Sequence, residues 1–116
     1  MSFKVITTPR FEKSAKALAK RYRSLKTDLG RLFASLETDP AQGDELSPGL
    51  RKLRMAITSK GRGKSGGARV ITYTILTAES NGRVYLIDIY DKSDYSTVDV
   101  VILHQIISTL DMTSDS

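Results

Sequence analysis

The sequence contains no cysteine, which excludes a disulfide framework, a thiolate metal site and a cysteine nucleophile. Its one histidine, His104, excludes a multi-histidine metal cage and argues against a Ser-His-Asp triad. No apolar run reaches the roughly 20 residues that a membrane-spanning helix needs. The first ten residues, MSFKVITTPR, lack the apolar stretch of a secretory signal. A soluble cytoplasmic protein is the expectation. Acidic residues are missing from 51–69, where all seven charges are basic: Arg51, Lys52, Arg54, Lys60, Arg62, Lys64 and Arg69.

What is present is ordinary for a globular chain: 116 residues, 40% hydrophobic and 27% charged. That length points to a single domain over 1–116, with order expected from about 3 to 110 and a frayed tail at 111–116. The net charge of +5 is unevenly placed. Residues 1–40 hold nine Lys/Arg against four Asp/Glu, and 41–69 hold seven against two. Residues 70–116 reverse the sign, two against seven. Like charges at the density of 51–69 repel one another, so a polyanionic partner competes with a solvated basic loop as the explanation.

Residues 3–7, FKVIT, read as a strand. Thr8-Pro9 supplies a helix cap and a proline at the first helical position. Phe11, Ala15, Leu18 and Tyr22 then fall on one helical face, with Arg10, Lys13, Lys16 and Lys20 largely off it. Ser24 can cap a second helix with the stripe Leu25, Leu29, Leu32, Phe33 and Leu36, stopped by Asp39-Pro40. The short link predicts an antiparallel helical hairpin. Residues 40–49 read as loop.

From Leu50 the period becomes two: Leu53, Met55 and Ile57 point one way, Lys52, Arg54 and Thr58 the other. A glycine-rich loop follows at 59–67. Residues 68–77 are apolar on both faces and read as a central strand. Asn81-Gly82 marks a hairpin turn, and 84–90 the returning strand. Ser96 and Asp99 have the spacing of a capping box for a last helix through 110. Its broad apolar face is expected to pack on the core, the alternative being a surface for a partner or a second copy. The order β-α-α-β-β-β-α predicts an α+β domain, an antiparallel sheet packed on the helical hairpin with the first strand at its edge.

Gly63-Lys64-Ser65 does not make a phosphate loop, because Thr58 stands where the first glycine is required and a strand follows instead of a helix. Asp88, Asp91 and Asp94 could suggest a divalent cation, but turn chemistry and capping account for Asp91 and Asp94, and neither a metal nor a cofactor is expected. The basic segment is better placed. Lys52 and Arg54 share a strand face about 7 Å apart, Lys60, Arg62 and Lys64 line the loop, and Arg69 opens the strand that returns beside them. Phosphate backbones bind such patches, and bases stack on nearby tyrosines. Tyr73, Tyr90 and Tyr95 are available for stacking, the alternative being core or rim packing, which is expected for Tyr73. Arginine supplies fixed positive charge and bidentate geometry, and a lysine among cations can transfer protons, so these residue types permit RNA cleavage without histidine.

Gly49-Leu50-Arg51-Lys52-Leu53-Arg54, the segment Ser59 to Tyr73 (SKGRGKSGGARVITY) and Ile89-Tyr90-Asp91-Lys92-Ser93-Asp94 resemble the RelE/ParE superfamily of bacterial toxins, in particular its RelE-like, HigB-type branch. The resemblance implies a microbial-RNase-like fold. It also implies a metal-independent endoribonuclease that cleaves translated mRNA in the ribosomal A site, and a cognate antitoxin that neutralises it. Carried onto this sequence, the catalytic residues are Lys52, Arg54, Arg69 and Lys92, with Tyr95 near the place of a stacking tyrosine. Arg51, Lys60, Arg62 and Lys64 complete the expected RNA- and ribosome-binding surface. Two other readings stay open: a non-enzymatic, ParE-like gyrase inhibitor, and a basic RNA-binding domain without catalysis.

Overall fold

The chain was analysed as a computed structural model that describes residues 2–78, 81–94 and 100–110. β1 (Ser2–Thr7) runs into α1 (Pro9–Arg21) through Thr8, which is extended and caps the helix. Its Oγ1 accepts from the Phe11 N–H at 3.2 Å and donates to the Leu86 carbonyl at 2.9 Å, so the cap also fastens the helix to the sheet. α2 (Leu25–Thr38) buries Leu25, Leu29, Leu32 and Leu36 and stops at Asp39, before Pro40. Ser24 holds the N-cap position without capping. Its hydroxyl donates to Asp28 Oδ2 at 2.8 Å and accepts from the Ser59 N–H at 2.8 Å.

The remaining strands are β2 (Asp44–Ser47), β3 (Leu50–Met55), β4 (Ala68–Ala78) and β5 (Asn81–Asp91). A 3₁₀ turn at Thr58–Lys60 follows β3, and α3 (Val100–Ser108) ends the described chain. The sheet order is β1-β5-β4-β3-β2. Its pairs are antiparallel except β1 with β5, which is parallel because the helical hairpin carries the chain back across one face.

Three expectations are corrected. Residues 40–49 are not all loop: Gly43 and Gly49, both at positive φ, bracket β2, an edge strand too polar and exposed to show a buried pattern. The β4–β5 turn is not at Asn81-Gly82. Ala78 pairs with Asn81 and Leu76 with Gly82, so both residues of Asn81-Gly82 lie within β5. A Cβ at Gly82 would stand 2.2 Å from the Ile75 carbonyl oxygen, so its glycine serves close approach instead of a turn. Thr58 does not continue the strand alternation: β3 ends at Met55, and Thr58 opens the 3₁₀ turn with its N–H and hydroxyl both bonding Asp28. The predicted capping box of the last helix and the tail lie outside the described residues.

The sheet separates two cores. On one face Phe3, Leu53, Met55, Ile57, Val70, Val84, Leu86 and Ile89 meet the apolar stripes of α1 and α2. On the other, Leu50, Ile71, Tyr85 and Ile87 meet Leu103 and Ile107 of α3, with Tyr73 partly buried beside them. The nine-residue α3 leaves Val101 (65% exposed) and Ile102 (47%) in solvent, so only part of its apolar face is core. It covers one end of this sheet face and leaves the other end to the basic residues.

Candidate nucleic-acid interface

Regular pairing of β3 with β4 places Arg54 directly opposite Arg69, and pairing of β4 with β5 places Arg69 opposite Tyr90. Alternation puts all three on the face that α3 half covers, beyond Leu50 and Ile71. Directly opposed side chains of this kind have Cβ atoms about 5 Å apart, and like charges there are destabilising. The sheet keeps the pair nonetheless. Lys52 follows on the same face, paired with Ile71.

The two arginines have different surroundings. Arg54 is exposed and, among the described residues, engages no ion pair. Arg69 is 6% exposed. Its guanidinium donates to the Lys64 carbonyl at 3.3 Å and the Ser65 carbonyl at 3.1 Å, holding the glycine-rich loop against the start of β4. The loop turns through Gly61 and Gly63 at positive φ and leaves Arg62 and Lys64 exposed. Lys92 is exposed just past β5, and its backbone N–H donates to the Gly67 carbonyl at 3.0 Å, which closes the loop onto β5. Burial raises the Tyr90 phenol above its ordinary value, Arg69 opposing and Asp88 adding, so it keeps its proton at neutral pH.

The structure places the other expected binding residues elsewhere. Arg51 alternates to the opposite sheet face, half-buried, with its guanidinium near Glu45 (3.8 Å) and the Gly43 carbonyl (3.4 Å). Lys60 is drawn inward: its ammonium lies 2.6 Å from Asp91, a carboxylate with no exposed surface. Asp91 also accepts from Arg21 at 3.0 Å, from the Tyr22 hydroxyl, and from the Ser93 N–H and hydroxyl. Burial opposes its ionisation, but these hydrogen bonds prevail and hold its carboxyl well below the usual range. Tyr95 lies outside the described residues.

The three aspartates that might have suggested a cation are taken up by side chains. Asp88 accepts from Arg10 at 3.1 Å and Ser14 at 2.7 Å, and Asp94 from Arg21 at 2.9 Å. A cleft of about 450 Å³ opens beside them between α1, the end of β5 and α3, with Tyr90 in its lining. Sequence reasoning weighed Tyr90 as a stacking residue or as core or rim packing. Its place beside Arg69 follows from the register shift near Ile71 and Thr72, which has no signature in the sequence.

No protein-family model matches the chain. Among solved structures, an arginine-to-alanine double mutant of the E. coli toxin RelE in the free state matches 95% of this chain and 100% of its own, with a TM-score of 0.58 and 15% identity. The fold is that of RelE. At 15% identity the likeness to RelE is one of fold, and it does not distinguish a HigB-type branch. Among the described residues, no helix is long and apolar enough to cross a membrane.

Proposed function

We propose that this chain is a RelE-like toxin of the HigB-type branch: a ribosome-dependent endonuclease that cleaves translated mRNA in the A site and is neutralised by a cognate antitoxin. The observation that carries the reading is the opposed pair Arg54 and Arg69, beside Tyr90 and Lys92, at the basic end of the sheet. Setting two arginines directly opposite works against stability, which makes sense where a phosphate sits between them and the solvent. Two further facts support it: the shared fold with a protein named as a toxin, and the basic loop fixed at both ends of the row.

Cleavage of RNA without a metal ion proceeds by attack of a 2′-hydroxyl on the adjacent phosphorus. The 2′-hydroxyl gives its proton to solvent as its oxygen bonds to phosphorus, the bond from phosphorus to the 5′-oxygen breaks, and that oxygen leaves with a proton taken from the protein. The dianionic phosphorane is the point that needs charge. Arg54, exposed and without an ion pair among the described residues, supplies a planar fork to its oxygens, and Lys52 and Lys92 add charge nearby. Arg69 acts by fixing the loop that carries Arg62 and Lys64 along the flanking backbone. Tyr90, protonated at neutral pH, serves as proton donor to the leaving oxygen.

Primer extension on a translated message, with purified protein and with or without ribosomes, tests this. Cuts within codons only when ribosomes are present are the expected result. Cuts on free RNA would make the protein a ribosome-independent nuclease. Growth arrest with intact message would overturn the nuclease reading in favour of a binding inhibitor.

A further inference from the structure

Asp91, the last residue of β5, is a carboxylate with no exposed surface between Tyr90 and Lys92. Its Oδ1 accepts from the Lys60 ammonium at 2.6 Å, the Ser93 N–H at 3.0 Å and the Ser93 hydroxyl at 2.7 Å. Its Oδ2 accepts from Arg21 at 3.0 Å and from the Tyr22 hydroxyl. Stability alone does not call for such a cluster, because apolar side chains of similar volume often do as well as a buried ion pair.

The backbone after Asp91 is held at each step. The Lys92 N–H donates to the Gly67 carbonyl at 3.0 Å, so the β4–β5 ladder runs one bond past the pair of Ala68 and Asp91. Alternation turns Asp91 to the α1 face and brings Lys92 back to the face of Arg69 and Tyr90. The Ser93 N–H is taken by the Asp91 carboxylate, and the Asp94 N–H donates to the Asp91 carbonyl at 2.9 Å. The same carboxylate also sorts the cations around it. Lys60 and Arg21 are drawn in to Asp91, while Lys92 is exposed and makes no ion pair among the described residues.

We propose that Asp91 is a positioning residue for RNA cleavage, closing the 91–94 turn so that the Lys92 ammonium stands beside the arginine row. The proposal rests on the nuclease reading above. Asp91 does not meet the RNA itself, since its oxygens are buried and engaged. A role in charge balance alone predicts the opposite outcome. Neutralising Asp91 frees Lys60 and Arg21 and raises the positive charge near the RNA, which favours binding of a polyanion. Loss of position instead slows the step at the phosphorane and leaves binding level or tighter.

The test measures kcat and KM for cleavage of a translated message on ribosomes by the full chain, per folded molecule, with the folded fraction taken from circular dichroism. Asp91→Asn should lower kcat about tenfold or more, as displacement of a catalytic charge does, with KM unchanged or reduced. Lys92→Ala should lower kcat by itself, and the double variant should fall no further, because Asp91 acts through Lys92. Arg21→Gln removes another bond from the same carboxylate without touching the turn, and should keep the wild-type kcat. Ser93→Ala loosens the turn by one hydrogen bond and should lower kcat about threefold, which serves where Asp91→Asn does not fold. Losses that multiply in the double variant, an unchanged kcat in Asp91→Asn and Ser93→Ala, or an equal loss in Arg21→Gln each overturn the proposal. Amide exchange at Lys92 and Ser93 needs no RNA. It should quicken in Asp91→Asn beyond the global loss of protection, and exchange that does not do so overturns the positional claim. A wild type that cuts no message overturns the nuclease reading instead, and exchange at Lys92 and Ser93 then decides whether Asp91 holds the turn.

Discussion

Arg54 and Arg69 face each other across β3 and β4, yet one guanidinium is open to solvent and the other is spent on the Lys64 and Ser65 carbonyls. The two should fail differently. Arg54→Ala should reduce message cleavage by about a hundredfold or more, as loss of a preorganised charge at a phosphorane does. It should leave stability level or slightly higher, since a like-charge pair is relieved. Arg69→Ala should also reduce cleavage, but with faster amide exchange across 61–67. Exchange mass spectrometry beside a cleavage assay separates the two, and an Arg54→Ala protein that cuts normally would remove the row from the active site.

Asp91 gathers the start of the basic loop, the end of α1 and the turn after β5 on one buried carboxylate. Asp91→Asn leaves the Lys60 ammonium beside a neutral amide in a site that is 14% open. Breaking a buried pair from one side costs about 3–5 kcal/mol, and the partial access of Lys60 to water favours the lower end. Urea unfolding should show that loss. Adding Lys60→Met should recover part of it, since the double variant buries no unpaired charge.

The same carboxylate sets an acid limit. The carboxyls of Asp91 and Asp28 are both held below their ordinary value, Asp28 by bonds from Thr58 and Ser24 that outweigh its burial. A depressed native pKa contributes stability above the unfolded value, about 3.9, and loses it as pH falls towards the native one. Stability should therefore be flat above about pH 5 and decline below about pH 4. The decline should be shallower in Asp91→Asn. An equally steep decline in that variant would show that Asp91 is not the group responsible.

Gly67 and Gly61 make opposite demands. A Cβ on Gly67 would sit 2.2 Å from the Met55 carbonyl oxygen and 2.9 Å from the Ile57 nitrogen, so Gly67→Ala must push β4 from β3 at the arginine row. About 1–3 kcal/mol and a loss of cleavage are expected. Gly61 has open space around it but φ +76°, so Gly61→Ala should cost about 1 kcal/mol of backbone strain and little activity. Thermal melts paired with cleavage rates would show whether the two costs part in this way.

Much of the fold was legible because buried faces leave a period. The stripes of α1 and α2 reappear as buried or partly buried residues, Thr8-Pro9 starts α1, and Leu53 and Met55 keep the buried alternation of β3. β2 was not legible, because an edge strand with exposed residues has no apolar period to show. The hairpin turn was misplaced because Asn-Gly is a strong turn signal and Gly82 serves a close backbone contact instead. At the site, strand alternation and the expected antiparallel pairing brought Lys52, Arg54 and Arg69 together. They could not separate an exposed arginine from a buried one, nor show that Lys60 turns in towards Asp91. Those outcomes depend on a carboxylate 31 residues away in sequence and on loop carbonyls that carry no sequence signature.

The parallel contact of β1 with β5 bears on how the chain is made. Ser2 pairs with Asn81 and Thr7 with Leu86, so the strand that leaves a translating ribosome early waits for one that leaves late. Until β5 emerges, Thr8 has no Leu86 carbonyl to bond, and the apolar stripes of α1 and α2 have only a partial sheet to cover. The hairpin and β1 are thus made before the strand that joins them to the rest of the sheet, and the sheet closes only once β5 has emerged.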